Sequence, residues 1–247
     1  MSHLILPATM KVALQERQVM NVFAGRLLIV LAVGACMLPI PTRAETQRAQ
    51  IIRFLGVTMV RPLDVHQTRE GAVGEMLVAW EERADHHGIV VSFLTGRGSF
   101  SSDTEVAILS AIDRAAHAAK LHTDSWTVSF AVNEPAGTIY GDSLSGIVGL
   151  AVVALAKGDF IPLDRTMTGT ITQEGTIGPV TALPLKIQAA FLKHIRRVVI
   201  PDTLDVADSD WLTPFLTQIS PIHSAAIAYQ ALTDHPFSPE APLSLVP

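Results

Sequence analysis

Beyond residue 45 the apolar positions change period repeatedly, and each change marks an expected element. "QIIRFLGVTMV" (50–60) is β-branched and aromatic with few charges, and reads as a strand. "GEMLVAWEERADHHGIVVSFLTG" (74–96) reads as two strands around the polar turn "EERADHHG". From 101 to 121 the period lengthens. Val106, Leu109, Ile112, Ala116 and Ala119 fall near helical spacing, which predicts an amphipathic helix capped by Ser102 or Asp103. "WTVSFAV" (126–132) returns to alternation and predicts a strand, and "NEPAGTIYGDS" (133–143) carries Asn, Pro and Gly turn signals.

"LSGIVGLAVVALAKG" (144–158) is apolar on nearly every face and stops at Gly158, the pattern of a buried helix with a glycine C-cap. "RTMTGTIT" and "TIGPVTAL" read as short strands joined through "QEG"; "PLKIQAAFLKHI" opens with Pro184 and reads as a helix. "RRVVIP" predicts the next strand. A weak helix around Trp211, a short strand near Ile219 and a helix at "SAAIAYQAL" follow, before a proline-rich tail expected to fray. Helices mixed with strand pairs predict one mixed α/β, or α+β, domain over about residues 50–235, with 236–247 as tail.

Composition narrows the function classes. With 49% apolar and 17% charged residues the chain is core-forming, and its net charge of -5 argues against a nucleic-acid partner. The single cysteine, Cys36, excludes an internal disulfide and a cysteine-based zinc site. Arg26, the uncharged run "LLIVLAVGACMLPIP" (27–41) and "TRAE" match a secretory signal peptide ending at Ala44. Pro39 and Pro41 interrupt the run, which is short for a membrane span. Cleavage after Ala44, retention of residues 1–44 as a membrane anchor and acylation at Cys36 all place the rest of the chain outside the cytoplasm. Met20 is an alternative start.

"GDSLSG" (141–146) contains the four letters of a serine esterase signature. Such an enzyme needs a histidine base in an Asp-x-x-His element, and no aspartate here has histidine three positions later. Ser143 is followed by 104 residues, too few for the rest of such a fold. G-x-S-x-G, S-x-x-K, H-E-x-x-H and the phosphate-cradling G-x-x-x-x-G-K-[ST] are all absent.

The downstream blocks supply a different partner. "GDSLSGIVGLAVVALAKG", then "MTGTITQEGTIGPVTALPLKIQAA", then "RRVVIP" resemble, in order and interval, the proteolytic domain of Lon-type proteases. Ser143 and Lys186 stand 43 positions apart, and the resemblance extends over about residues 70–232. It implies a Ser143/Lys186 dyad, with Thr168 of "MTG" orienting the amine and Asp142 either a turn residue or a carboxylate paired with Lys186. It also implies peptide or unfolded-protein substrates, no cofactor or metal, and homohexamer assembly. Without the ATP-driven module usual in the family, the chain is expected to accept only short or unstructured peptides. Membrane attachment would run through residues 27–41.

The residues carry the same chemistry. Ser143 opens a buried helix, whose N–H groups and positive end favour a developing oxyanion. Lys186 follows Pro184 in a first helical turn beside Leu183, Leu185 and Ile187, where the helix end and desolvation both disfavour its cation. Taken singly, Ser143 reads as an N-cap, Lys186 as a solvated helix lysine and Thr168 as an ordinary strand residue. Ser145 and Gly146 fit close packing, and His86 and His87 fit a surface turn rather than a metal site. Two departures from the family stand out. Thr181 and Ala182 replace a Gly-Gly pair before the lysine helix, which bears on the cleft and the backbone there. Leu144 replaces an alanine and is expected to add bulk beside the nucleophile. They motivate a rival reading, a Lon-like binding or scaffold domain with little turnover.

Overall fold

The computed structural model describes residues 46–60, 68–132, 137–203 and 217–237. The expected leader, Cys36, the helix near Trp211 and most of the tail lie outside them.

Two long strands, β1 (Gln47–Val60) and β2 (Thr68–Glu82), pair antiparallel along their whole length. β2 pairs antiparallel with β5 (Trp126–Val132), and β5 pairs parallel with β3 (Val90–Thr95). The sheet order β1-β2-β5-β3 therefore puts β5 between the two strands that flank the "EERADHHG" turn. β5 buries every second side chain, as its alternation requires. A parallel two-residue ladder joins β4 (Ser99–Phe100) to β6 (Thr138–Ile139), and β6 lies within the stretch expected as loop.

Helix α1 (Ser102–Ala118) packs on α2 (Ser145–Lys157). The α1 cap is Ser101, one residue before the predicted position, and its hydroxyl accepts the Thr104 N–H. The buried face of α1 runs through Thr104, Ile108, Ala111, Ile112, Ala115 and Ala116. Val106 and Leu109, expected on the core face, are exposed. The period was right and the phase was off by part of a turn. α2 is buried from Ser145 to Leu155, and each Val, Leu or Ile so enclosed contributes about 1.5–3 kcal/mol. Its far end is closed by left-handed Gly158 and by Arg48, which donates to the Leu155 and Ala156 carbonyls at 2.6 and 2.9 Å.

The third sheet is parallel, β7 (Arg165–Met167), β8 (Arg197–Pro201) and β9 (Gln218–Ile222). The segment expected as a strand after "QEG" forms only isolated bridges, Ile171 with Ile177 and Thr176 with Ser224. Helix α3 (Leu183–Leu192) has its own core, in which Leu183, Ile187 and Ala190 meet Leu55, Val198 and Ile200. Helix α4 (Ala225–Thr233) follows β9. The start of the tail does not fray: Phe237 is buried against Tyr229, and Lys157 donates to the Pro236 and Phe237 carbonyls. Mixed sheets and four helices among the described residues make an α+β fold. None of those helices is long and apolar enough to cross a membrane.

Candidate active site

Ser143 lies in the turn that feeds α2, with Asp142 and Leu144 beside it. The Asp142 carbonyl accepts the Ser145 N–H at 2.8 Å, which sets the first turn of the helix. Leu144 at the cap position offers no side-chain bond. The N–H groups of Ser143 and Leu144 donate to no acceptor among the described residues, so the positive end of α2 keeps uncommitted donors.

Remote backbone holds this turn instead. Gly169 N–H donates to the Ser143 carbonyl at 2.7 Å, and the Gly169 carbonyl accepts from Gly146 N–H at 3.0 Å. A Cβ at position 146 would stand 2.4 Å from that carbonyl, and Gly169 itself has φ 144°. Gly146 of "GDSLSG" and Gly169 of "MTG" are therefore demanded by the clasp that joins the two segments. Ser145 is buried and Gly146 sits at a close approach, the packing roles their positions suggested.

The same clasp locates Thr168. Its N–H bonds the Val199 carbonyl of β8 at 3.0 Å, and its side chain is fully buried.

Lys186 reaches this point from α3. That helix starts on Ala182, at φ 56° and ψ 36°, a left-handed conformation that costs a residue with a Cβ about 1–2 kcal/mol. The position usually held by glycine thus keeps glycine's backbone while carrying alanine. Pro184 fixes the first turn. Behind α3, Gly71 of β2 lies so close that a Cβ there would overlap the Leu185 carbonyl. A side chain at 71 would push out the turn that carries Lys186.

These elements bring three of the four predicted residues together. Lys186 Nζ lies 2.9 Å from Ser143 Oγ and 3.1 Å from Thr168 Oγ1. Lys186 is only 4% exposed, whereas Ser143 is half-buried and open to one side. Asp142 is exposed, in the turn before Ser143. Leu144 corrects an expectation: its side chain is 4% exposed and packs into the main core, adding no bulk beside the nucleophile. His86 is exposed and pairs with Asp124, at 3.1 Å. Among the described residues no group of three or more His, Cys, Asp or Glu is placed to hold a metal ion.

Sequence reading missed the uncommitted N–H donors, which have no side-chain signature. It also missed Thr104, whose hydroxyl lies 3.3 Å from the Ile139 carbonyl and 3.1 Å from that of Gly141, pinning the strand that leads to Ser143. Gly71 was missed as well, because it precedes the strand expected from Gly74.

A half-exposed hydroxyl within hydrogen-bond reach of a buried amine, next to open backbone donors, has the parts that acyl transfer requires. Over residues 70–209, more than half of its length and including all four of these positions, the chain matches the Lon protease (S16) C-terminal proteolytic domain, and it belongs to that family.

Proposed function

We propose that this Lon-type domain is a serine endopeptidase that works through an acyl-enzyme on Ser143, with Lys186 as general base. The observation that carries the reading is the 2.9 Å separation of Ser143 Oγ and Lys186 Nζ at a lysine that is 4% exposed. Burial disfavours the ammonium form, and the neutral amine is the form able to take a proton. In the acylation step Ser143 Oγ attacks the scissile carbonyl and its proton passes to Lys186 Nζ. The carbonyl oxygen becomes an oxyanion within reach of the open N–H groups of Ser143 and Leu144. Collapse breaks the C–N bond, and Lys186 returns the proton to the leaving amine. Water then attacks the ester, giving a proton to Lys186; the ester C–O bond breaks, the acid product leaves, and Lys186 passes that proton to Ser143 Oγ, which restores both groups. Thr168 Oγ1 holds the amine in line throughout, 3.1 Å from it.

The reading extends to an exported enzyme acting without ATP on short or unstructured peptides, assembled as a homo-oligomer, with or without attachment through residues 27–41. The apolar run after Arg26 supports export, and the homo-oligomer rests on the family resemblance. The scaffold alternative loses one of its two motives, because Leu144 points into the core.

Hydrolysis of an unstructured protein decides between the two. The reading expects peptide release without ATP by the wild-type chain and none by Ser143→Ala or Lys186→Met. Release unchanged in Lys186→Met, or none by the wild type, overturns it.

A further inference from the structure

The chain has two tyrosines, and they are used in opposite ways. Tyr229 is fully buried, its hydroxyl bonded to Asp159 at 2.6 Å. Tyr140, three residues before Ser143, is 76% exposed, the most exposed of the large apolar and aromatic side chains described. Its hydroxyl and ring have no partner among the described residues.

The backbone beneath Tyr140 is fixed. On one side the Ile139 carbonyl accepts from Ser101 N–H at 3.0 Å. The Thr104 hydroxyl reaches the carbonyls of both Ile139 and Gly141, the residues flanking Tyr140. Gly141 then turns the chain at φ 92°, and two residues later comes the nucleophile. Tyr140 is thus a large exposed ring on a pinned segment three residues before Ser143. A tyrosine in that setting offers contact area with only two side-chain torsions to order.

The neighbouring charges fix the sign of what it receives. Asp142 is exposed in the same turn, and Asp103 and Glu105 flank Thr104 on α1. Against these three carboxylates stand Arg97, on the turn between β3 and β4, and the buried amine of Lys186, 2.9 Å from Ser143 Oγ. An aromatic face in a locally negative field attracts a cation rather than an anion.

We infer that Tyr140 is a specificity-determining residue that receives a lysine or arginine side chain of the peptide substrate beside the scissile bond. The inference rests on the peptidase reading for its meaning, and its test is one of binding. The full chain carrying Ser143→Ala is titrated with two labelled unstructured peptides, identical except that one has lysine where the other has norleucine, and affinity is read by fluorescence anisotropy. The lysine peptide is expected to bind about fivefold more tightly. That preference is expected to vanish in Tyr140→Ala and to remain in Tyr140→Phe. Equal affinities, no binding of either peptide, or a preference that survives Tyr140→Ala overturns the inference. Failure of the wild-type chain to hydrolyse peptides overturns the peptidase reading alone, since the binding preference is measured without turnover.

Discussion

Helices α1 and α4 begin on Ser101 and Ser224, whose hydroxyls accept N–H groups three residues on, at 3.2 and 3.3 Å. Helices α2 and α3, which bring Ser143 and Lys186 together, begin on Leu144 and Ala182 and have no side-chain cap. The first pair is finished locally, by a serine that any exchange of neighbouring helices would leave intact. The second pair is finished from afar. The start of α2 is held by Gly169, and that of α3 by a left-handed alanine and a proline. The difference shows where local stability has been given up. On the proposed mechanism a side-chain cap on α2 would occupy donors offered to an oxyanion, whereas the buried body of the helix can hold an open start in place.

The comparison can be broken in several places. The largest effect is expected at Lys186→Met, which keeps the apolar stem and removes the proposed base. Peptide hydrolysis should fall by about 10²–10⁴-fold in kcat/KM with the urea midpoint little changed. Gly146→Ala attacks the remote clasp through its clash with the Gly169 carbonyl. It should lower stability by about 1–3 kcal/mol in urea unfolding and reduce turnover with it. Ser101→Ala and Ser224→Ala remove the local caps, and each should cost about 1 kcal/mol. Ser224→Ala, remote from the site, should leave kcat unchanged. Ala182→Gly should stabilise by about 0.5–1 kcal/mol, since relief of the left-handed strain exceeds the added freedom of the unfolded chain.

The smallest effect concerns the far end of α4. Asp234, at the C-cap of that helix, is paired with Arg165, and this hydrogen bond holds its carboxyl below the ordinary carboxylate value. The folded form therefore gains stability above the unfolded carboxyl's range and loses it as pH falls through the depressed value. Asp234→Asn should remove that acid limb and shift thermal unfolding only slightly, because the carboxylate is largely exposed.

Much of this site was legible because its segments are also the most constrained. Ser143, Thr168 and Lys186 stand in blocks whose glycines and proline are dictated by backbone geometry, so residue type and spacing carry the arrangement. α2 could be read from its unbroken apolar run, and β5 from its alternation. What stayed hidden depends on partners distant in sequence. Nothing local says that β5 inserts between β2 and β3, or that Leu144 turns inward. The outward phase of Val106 and Leu109 follows from how α1 lies on α2, which helical period alone leaves open. "TIGPVTAL" has strand-like residues, yet among the described residues its strand pairing consists of the isolated bridges at Thr176 and Ile177 rather than a ladder. The left-handed Ala182 was flagged only as a missing glycine pair.

The central claim is that a neutral Lys186 activates Ser143, and covalent capture of that serine measures it most directly. The chain is treated with a fluorophosphonate at a series of pH values and the adduct is located by mass spectrometry. The account expects modification at Ser143, at a rate that rises with pH as the lysine amine loses its proton, and about 10²–10⁴-fold slower in Lys186→Met. An adduct formed equally fast in Lys186→Met, or no adduct on Ser143 at any pH, would contradict it.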